Sequence, residues 1–239
     1  RKIFDLFTIR IILYLVWAGA LVQALAALPM PAGGRQKRLT PSLRPGVVAR
    51  KEVLVFLASA FLMLVSHGTY YGFFSIHLAD LGFGGAFIGA AWALAAGAEI
   101  LVMIRSDVLF QSFSLERVLL FSFAVAILRW LLLAAATSAG LILAAQVLHA
   151  VTYGAFHMAS ILYIDRLMPE NAKTLGQALN NAVTYGLGMM VGFFANGYFY
   201  ESLGAHVLFA VSALTALSGG LVFTVGCLRR GTGTLPAGS

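Results

Sequence analysis

Residues 146–157 read Gln-Val-Leu-His-Ala-Val-Thr-Tyr-Gly-Ala-Phe-His and place polar side chains inside an otherwise apolar segment. At about 100° per residue, one narrow arc of a helix carries four of them, Gln146, His149, Tyr153 and His157. A charged side chain at the centre of a bilayer costs roughly 2.5–3.5 kcal/mol on insertion scales, so such residues face a bundle interior or a water-filled cavity. The segment therefore predicts a membrane helix with one polar side.

The composition of the whole chain agrees with this prediction. Of the 239 residues, 60% are hydrophobic and 10% are charged, and the mean hydropathy is +0.90. These values are typical of an integral membrane protein and exclude an ordinary soluble domain. The apolar segments run for about 20 residues without strict alternation, which favours membrane helices over the strands of a barrel. The net charge of +7 comes from bases in loops, so we expect no nucleic-acid partner.

The apolar pattern predicts an all-α fold with seven transmembrane helices. They are Ile9–Leu28, Val53–Ala79, Ala86–Ile104, Val118–Ala136, Leu141–Ile164, Gln177–Tyr200 and Val207–Leu228. The last six form two triplets, 53–136 and 141–228, which is the pattern of the 3+3 inverted repeats that build one half of many transporters. Gly188 and Gly192 in the sixth span form a G-x-x-x-G pair, which favours close packing of helices.

The positions of the basic residues predict the topology. Twelve of the sixteen Lys and Arg residues lie in 30–52, 105–117, 165–176 and the tail from 229. All four segments fall on one side of the predicted spans, which the positive-inside rule makes cytoplasmic. We therefore expect a multi-pass protein of the cell membrane. It would have a lone helix in 1–29, a basic cytoplasmic linker in 30–52, a six-helix transporter unit in 53–228 and a cytoplasmic tail in 229–239.

Glu99, Arg129 and His149 stand out among the charged and titratable residues at membrane depth. Glu99 and Arg129 would together cost on the order of 5–7 kcal/mol if left unpaired, so we expect them to meet each other or His149. Arginine keeps its proton, whereas glutamate and histidine can titrate. The set therefore predicts proton coupling, in which protonation of Glu99 releases Arg129 for a substrate carboxylate. The alternative is a static ion pair that fixes the register of the helices.

Aromatic and polar side chains recur at helical spacing in the spans that lead the two triplets. The predicted substrate contacts are His67, Tyr70, Tyr71, Phe74, Trp92, Arg129, Tyr153, His157 and Asn181. At the end of the fifth span, Asp165 and Arg166 are interpreted as a gate pair, with a solvated helix end as the alternative. His149 and His157 have no third ligand nearby, so neither a metal site nor a cofactor is expected.

A specific pattern follows the basic linker. Residues 66–76 read Ser-His-Gly-Thr-Tyr-Tyr-Gly-Phe-Phe-Ser-Ile, and Asp80-Leu81-Gly82, Ile88-Gly89, Trp92-Ala93-Leu94 and Glu99 follow. These residues resemble the seventh and eighth helices of phenylpropionate permeases in the major facilitator superfamily. Further similarities are Leu128-Arg129-Trp130, Gln146-Val147-Leu148-His149 and Tyr200-Glu201-Ser202-Leu203-Gly204. The loop 105–117 departs from this family, because it lacks the glycines of the signature that many facilitators carry there.

The resemblance implies helices seven to twelve of a twelve-helix carrier, with 9–28 as helix six. It also implies that Glu99, Arg129 and His149 are similar to the carboxylate, arginine and histidine that couple protons to sugar in the related lactose symporters. The sequence starts at Arg1 and lacks the first five helices of such a carrier. We therefore expect a missing N-terminal half to be its partner.

These features favour a proton-coupled secondary carrier for a small aromatic or hydrophobic carboxylate such as phenylpropionate. The alternatives are a proton symporter for a sugar or a nucleoside, and a truncated half that serves only as a membrane scaffold. A retinal receptor is excluded because no lysine lies within a predicted span. An intramembrane enzyme is disfavoured because no G-x-S-x-G, H-E-x-x-H or cysteine-dyad motif is present.

Overall fold

The computed structural model describes residues 2–29 and 45–231, and the chain divides into two units, Arg1–Thr40 and Pro41–Ser239. The first unit contains helix α1, Lys2–Ala27. Within this helix, Leu13–Ala27 is an apolar stretch that falls inside the predicted span Ile9–Leu28. Most of the predicted linker, 30–44, and the end of the predicted tail, 232–239, lie outside the described residues.

Helices joined by short turns make up the described part of the second unit. Its helices are α2 (Lys51–Ser66), α3 (Gly68–Asp80), α4 (Gly85–Ile104), α5 (Ser106–Ser112), α6 (Leu115–Ala135), α7 (Ala139–Val147), α8 (Phe156–Leu167), α9 (Lys173–Asn180) and α10 (Met189–Gly231). Two π-helical segments, Ala150–Ala155 and Asn181–Gly188, lie between α7 and α8 and between α9 and α10. Short 3₁₀ turns occupy Pro45–Val47 and Glu170–Ala172.

Five stretches in the described residues are long and apolar enough to cross a membrane. They are Lys51–Asp80, Gly85–Ile104, Leu115–Ala135, Ala139–Leu167 and Glu170–Gly226. The first four begin and end within three residues of the predicted spans. The length and hydropathy of these helices make the chain a multi-pass membrane protein. Two details differ from the predictions: Lys51 and Glu52 already belong to α2, and a short helix, α5, occupies the predicted loop 105–117.

The last stretch, Glu170–Gly226, folds back on itself at Gly204. Its 57 residues would extend about 85 Å as one helix, against about 30 Å of hydrocarbon. Gly204 has φ 71° and ψ 165°, a conformation that interrupts the helix and suits only glycine. The Thr69 hydroxyl donates to Asn196 Oδ1 at 2.6 Å and lies 2.8 Å from Ser212 Oγ, so one residue of α3 contacts both arms of α10. The count of seven spans in a 3+3 arrangement remains a prediction.

Glycines allow α10 to pack closely on α2 and α3. A Cβ at Gly68 would lie 2.5 Å from the carbonyl carbon of Gly192, and a Cβ at Gly192 would lie 2.8 Å from the Val65 oxygen. A Cβ at Gly188 would lie 3.1 Å from the Phe61 oxygen. The G-x-x-x-G pair of the sequence therefore marks a backbone-to-backbone contact. This contact fixes α3, which carries the aromatic residues of the candidate site.

Candidate functional site

Glu99 of α4 reaches the polar side of the helix that contains 146–157. Its Oε2 lies 3.5 Å from Nε2 of His149. The glutamate side chain is 21% exposed and the histidine side chain is 4% exposed. This distance is long for a hydrogen bond, but it holds a carboxylate directly beside an imidazole. Both side chains can change protonation state, so the pair has the chemistry to take up and release a proton.

The π-helical segment Ala150–Ala155 provides the space for Glu99. Gly154 in this segment faces the glutamate, and a Cβ at this position would lie 3.1 Å from Glu99 Cγ. A π-helical segment inserts one extra residue into a helix and often marks a functional site. Glycine at this position lets α4 approach closely enough for the carboxylate to reach His149.

Tyr71 of α3 contacts the same imidazole. Its hydroxyl lies 3.3 Å from His149 Nε2, so the carboxylate of Glu99 and this phenol approach one nitrogen. The His149 ring also lies 5.3 Å from the Tyr70 ring, measured between centroids. His149 is thereby held between α3 and α4, with its Nε2 toward the two groups that can exchange a proton with it.

Arg129 of α6 is fully buried. Its Nε donates to the Ala145 oxygen at 2.9 Å, and Nη1 donates to Thr152 Oγ1 at 3.3 Å. The guanidinium carbon lies 4.1 Å from the centroid of the Tyr70 ring and 4.6 Å from that of Trp130. No acidic residue in the described part of the chain pairs with it. A fixed positive charge therefore sits behind Tyr70, stabilised by neutral acceptors and aromatic faces.

Glu99 and Arg129 therefore do not form the ion pair with each other that was one of the two expectations. The glutamate meets His149, which was the other expectation. Arg129 keeps one nitrogen, Nη2, without a hydrogen-bond partner. The guanidinium thus has a free donor, although Tyr70 and Thr152 surround it.

An aromatic wall continues from Tyr70 along α3 and α4. The Trp92 ring lies 4.7 Å from Tyr70, 5.5 Å from Phe74 and 6.0 Å from Tyr71, between centroids. Its indole nitrogen donates to Ser75 Oγ at 2.9 Å. Phe74 and Tyr70 are fully buried, whereas Tyr71 and Trp92 are partly exposed. The wall therefore presents two amphipathic rings at the accessible edge of the bundle.

A second row of rings extends along the predicted polar arc. Tyr153 stacks between His149, at 5.2 Å, and His157, at 6.2 Å. His157 Nδ1 lies 2.5 Å from the hydroxyl of Tyr185, which belongs to the second π-helical segment. Tyr153, His157 and Tyr185 are all partly exposed, as Glu99 is. These side chains form one accessible edge, which we call the polar face and define as Tyr71, Trp92, Glu99, Tyr153, His157 and Tyr185.

His67 lies beneath the polar face, with its ring 6.2 Å from that of Tyr71 and 6.0 Å from that of Tyr153, and Asn181 is not part of this face. His67 is fully buried, its Nδ1 lies 2.9 Å from the Met63 oxygen, and its ring packs edge-on against Trp130 at 4.8 Å. Its position indicates a core residue beneath the site. Asn181 is exposed on the second π-helical segment, one helical turn before Tyr185. Tyr185 follows Asn181 by four residues, and this helical spacing could have identified Tyr185 as a further candidate site residue.

Asp165 and Arg166 each pair with a different residue. Asp165 Oδ2 lies 3.1 Å from Nζ of Lys173, and Arg166 pairs with Glu116 at the start of α6. These contacts join the end of α8 to α9 and to α6. A role in gating remains a prediction.

Three contacts at the site were not anticipated from the sequence. The Tyr70 hydroxyl donates to Gln146 Oε1 at 2.8 Å, Thr152 accepts from Arg129, and Gly154 makes room for Glu99. Residues 146–154 thus meet α3, α4 and α6 in turn. The site is a point where four helical elements converge, with one carboxylate and one imidazole near its open side and a guanidinium behind them.

Comparison with known families identifies the class of protein to which the chain belongs. The MFS_1-like family model matches residues 3–211. The chain belongs to this family. Its members are carriers of the major facilitator superfamily, so the resemblance to that superfamily is confirmed. This membership also confirms that the chain is of a transporter class and not an enzyme.

Individual MFS_1-like relatives are similar over most of the chain. The chain is 29% identical over 220 residues to the probable 3-phenylpropionic acid transporter of Escherichia coli, with 90% of the chain and 58% of that protein covered. It is 31% identical over 202 residues to the maltose permease of Geobacillus stearothermophilus, covering 82% of the chain and 50% of the permease. A transporter of Bacillus subtilis is 24% identical over 218 residues, with 90% and 54% covered. The chain thus spans about half the length of these relatives.

Proposed function

We propose that this MFS_1-like chain forms one helical bundle of a proton-coupled secondary carrier. The observation that carries the proposal is the contact of Glu99 with His149 at the partly exposed polar face. A second bundle would close over this face, because carriers of this type bind substrate between two halves that rock against each other. The coverage of about half of each relative supports such a partner.

The proposed substrate is a small aromatic or hydrophobic carboxylate such as phenylpropionate. Tyr71, Trp92 and Tyr153 offer ring faces at the open edge, which suit an aromatic group. Arg129 contributes a fixed positive charge from behind Tyr70, and its buried Nη2 has no hydrogen-bond partner. The name of the Escherichia coli relative supports this choice of substrate.

Electrostatics supply the coupling in this proposal. An ionised Glu99 repels a substrate carboxylate. At an effective dielectric constant of 20, the repulsion energy of two like charges 4 Å apart is about 4 kcal/mol. Protonation of Glu99 removes this repulsion and leaves the charge of Arg129 to attract the anion. Substrate and proton therefore bind together. His149, beside Glu99, receives or returns the proton as the carboxylate site opens to each side of the membrane.

The test is Glu99→Gln in the whole protein, reconstituted into proteoliposomes. The amide cannot titrate but keeps the size of the side chain, so we expect pH-driven accumulation of phenylpropionate to fall to the background while exchange of substrate across the membrane persists. Glu201→Gln is the matched control, because Glu201 is an exposed residue of α10 away from the polar face. Unaltered accumulation in Glu99→Gln would dismiss the proton role. Loss of exchange as well would point to a structural role.

A sugar is the second candidate substrate. His157 and Tyr185 form a hydrogen-bonded pair at the polar face, and Asn181 is exposed one turn away, so the second π-helical segment offers donors and acceptors that suit hydroxyl groups. The identity of 31% to a maltose permease favours the same reading. A competition assay distinguishes the aromatic carboxylate from the sugar. We expect excess unlabelled phenylpropionate, but not excess maltose, to block uptake of labelled phenylpropionate. A scaffold role is supported only if neither compound is exchanged.

We also propose an orientation in the cell membrane. The exposed bases Arg105, Arg117 and Arg166 lie at the ends of α4, α6 and α8, in the segments that the positive-inside rule assigns to the cytoplasm. The linker 30–52 and the tail 229–239 would then be cytoplasmic. Cysteine labelling from outside, at Ser114→Cys compared with Ser202→Cys, would test this: only the latter should react with an impermeant reagent.

A further inference from the structure

A separate cavity lies behind the first π-helical segment. Its volume is about 470 Å³, which falls within the range of 300–1,000 Å³ typical of small-molecule sites. The walls come from the end of α4, from α5, from the start of α6 and from the π-helical segment Ala150–Ala155. The lining atoms are almost entirely apolar and include Val102, Leu109, Phe113, Phe121 and Val151.

The cavity opens on the outer surface of the bundle. Phe113 and Phe121 at its edge are 52% and 60% exposed. In a multi-pass membrane protein, such exposed apolar side chains on the wall of an apolar cavity face hydrocarbon. The cavity is distinct from the polar face, whose residues are not part of its lining. A long apolar group can therefore enter from the bilayer without passing through the transport site.

One charged side chain borders this apolar space. Arg117 lines the cavity, is exposed and has no acidic partner in the regions that the structure describes. The other charges of the segment 105–117 are Arg105, Asp107 and Glu116. Glu116 already pairs with Arg166, and of the remaining three charges only that of Arg117 lies on the wall of the cavity. An apolar cavity beside a free guanidinium suits a ligand with a hydrocarbon chain and an anionic head.

We propose that this cavity binds an acyl chain of an anionic phospholipid, with the phosphate on Arg117. Anionic lipids concentrate in the cytoplasmic leaflet, and basic pockets between membrane helices on that side bind their head groups. The planar guanidinium can form two parallel hydrogen bonds to a phosphate. A zwitterionic lipid supplies the same chain but also an ammonium group that Arg117 repels, so the charge selects the lipid class.

The cavity and the transport site share one structural element. Val151 and Ala155 line the cavity, and Gly154 between them faces Glu99. A bound acyl chain therefore contacts the same π-helical segment that positions the carboxylate beside His149. The proposal does not rest on the proposed transport function, because binding of the lipid can be measured without transport.

Native mass spectrometry of the purified protein tests the proposal, with three probes: phosphatidylglycerol, phosphatidylcholine with the same acyl chains, and glycerol phosphate. We expect phosphatidylglycerol to remain bound through delipidation, at least tenfold more than phosphatidylcholine, and glycerol phosphate not to bind. Arg117→Gln should reduce retention of phosphatidylglycerol to the level of phosphatidylcholine. Lys51→Gln is the control, because it removes an exposed base at the start of α2 that does not line the cavity.

Two further variants test the apolar part of the site. Val151→Phe and Val102→Phe fill the cavity from opposing elements, the π-helical segment and α4, so at least one should keep the fold as judged by circular dichroism. Either folded variant should lose the retained lipid. Equal retention of the two lipids, equal loss in Lys51→Gln, or full retention in a folded cavity-filling variant would overturn the proposal. Binding of glycerol phosphate as tight as that of the lipid would replace it by a simple anion site.

Discussion

The side chain of Arg129 shows how the surroundings of one residue limit its chemistry. Two neutral oxygens and two aromatic rings hold the guanidinium, and no described carboxylate neutralises it. Removal of one member of such a buried charged network is costly, because the remaining groups lose their partners without regaining water. The bundle therefore carries a permanent positive charge beside a titratable pair, and the protonation states of Glu99 and His149 determine the net charge of the site.

Arg129→Lys tests the geometry of this charge. Lysine keeps the charge but loses the Nε–H that donates to the Ala145 oxygen and the planar group that lies on Tyr70. We expect the free energy of unfolding to fall by about 1.5–3 kcal/mol, the value of one hydrogen bond to a charged group. Substrate affinity should fall with it. Thermal unfolding in detergent and a binding isotherm measure the two effects.

Arg105→Lys is the matched control for this substitution. Arg105 is exposed at the end of α4, and a surface exchange of this kind changes stability by less than about 0.5 kcal/mol. If Arg129→Lys kept the stability and the substrate affinity of the wild type, the hydrogen bonds of Arg129 to Ala145 and Thr152 would not be needed to stabilise the site.

Gly154→Val tests the contact between the π-helical segment and Glu99. A Cβ at Gly154 already lies 3.1 Å from Glu99 Cγ, so the two extra methyl groups of valine must displace the glutamate from His149. We expect pH-driven accumulation to fall about tenfold or more, since misplacing a working group by about 1 Å costs up to about 100-fold. Gly97→Val is the control on α4, because a Cβ there meets nothing within 4 Å. Equal transport by both variants would show that the close approach is not needed.

The sequence predicted the types of residue at the site better than their contacts. Glu99, Arg129 and His149 are conspicuous because a charged group in an apolar span is expensive. Which of them touch depends on how the helices are rotated about their axes, and local spacing does not report that rotation. The contact of Arg129 with Thr152, rather than with an acid, and the burial of His67 below the polar face were for this reason not predictable.

At the scale of the elements, the length and position of the helices follow from hydropathy. The spans 53–164 were predicted within three residues because each must bury about 20 apolar residues in the bilayer. The two π-helical segments, Ala150–Ala155 and Asn181–Gly188, were not predicted. Their extra residue is stabilised by contacts across the bundle, such as those of Gly154 and Tyr185, and no periodicity of the local sequence reveals it.

Glycine motifs also need the packed structure to be interpreted. Gly188 and Gly192 touch the backbone of α2, whereas a Cβ at Gly85 or Gly89, a pair with the same spacing, would meet nothing within 4 Å. The spacing in the sequence is the same for both pairs, so it does not show which pair lies at a helix contact. Only the first pair sets how closely two helices approach.

Gly192→Ala and Gly89→Ala therefore should have opposite effects on stability. The new methyl at Gly192 would lie 2.8 Å from the Val65 oxygen, so we expect overpacking to cost about 1–3 kcal/mol. Alanine at Gly89 meets nothing and should stabilise α4 by up to about 1 kcal/mol through helix propensity. Thermal unfolding in one detergent compares them. A Gly192→Ala variant as stable as Gly89→Ala would contradict the close packing of α10 on α2 and α3.

At the scale of the whole molecule, the polar face and the apolar cavity are formed by different residues of one helical bundle. The polar face gathers partly exposed rings with one carboxylate, whereas the cavity is apolar with one guanidinium at its mouth. Under the two proposals made above, the polar face would meet a partner bundle and substrate, and the cavity would meet lipid. Membership of the MFS_1-like family gives the fold class, but the pairing of Glu99 with His149 comes from the packing of this chain.

Measurement of proton uptake shows whether Glu99 binds a proton together with the substrate. Phenylpropionate is added to the whole protein in de-energised proteoliposomes, and the external pH and the internal substrate are recorded together. We expect a rise in external pH in fixed proportion to the substrate taken up, and no such rise for Glu99→Gln. An equal rise per substrate in Glu99→Gln, or substrate entry in the wild type without any proton movement, would contradict it.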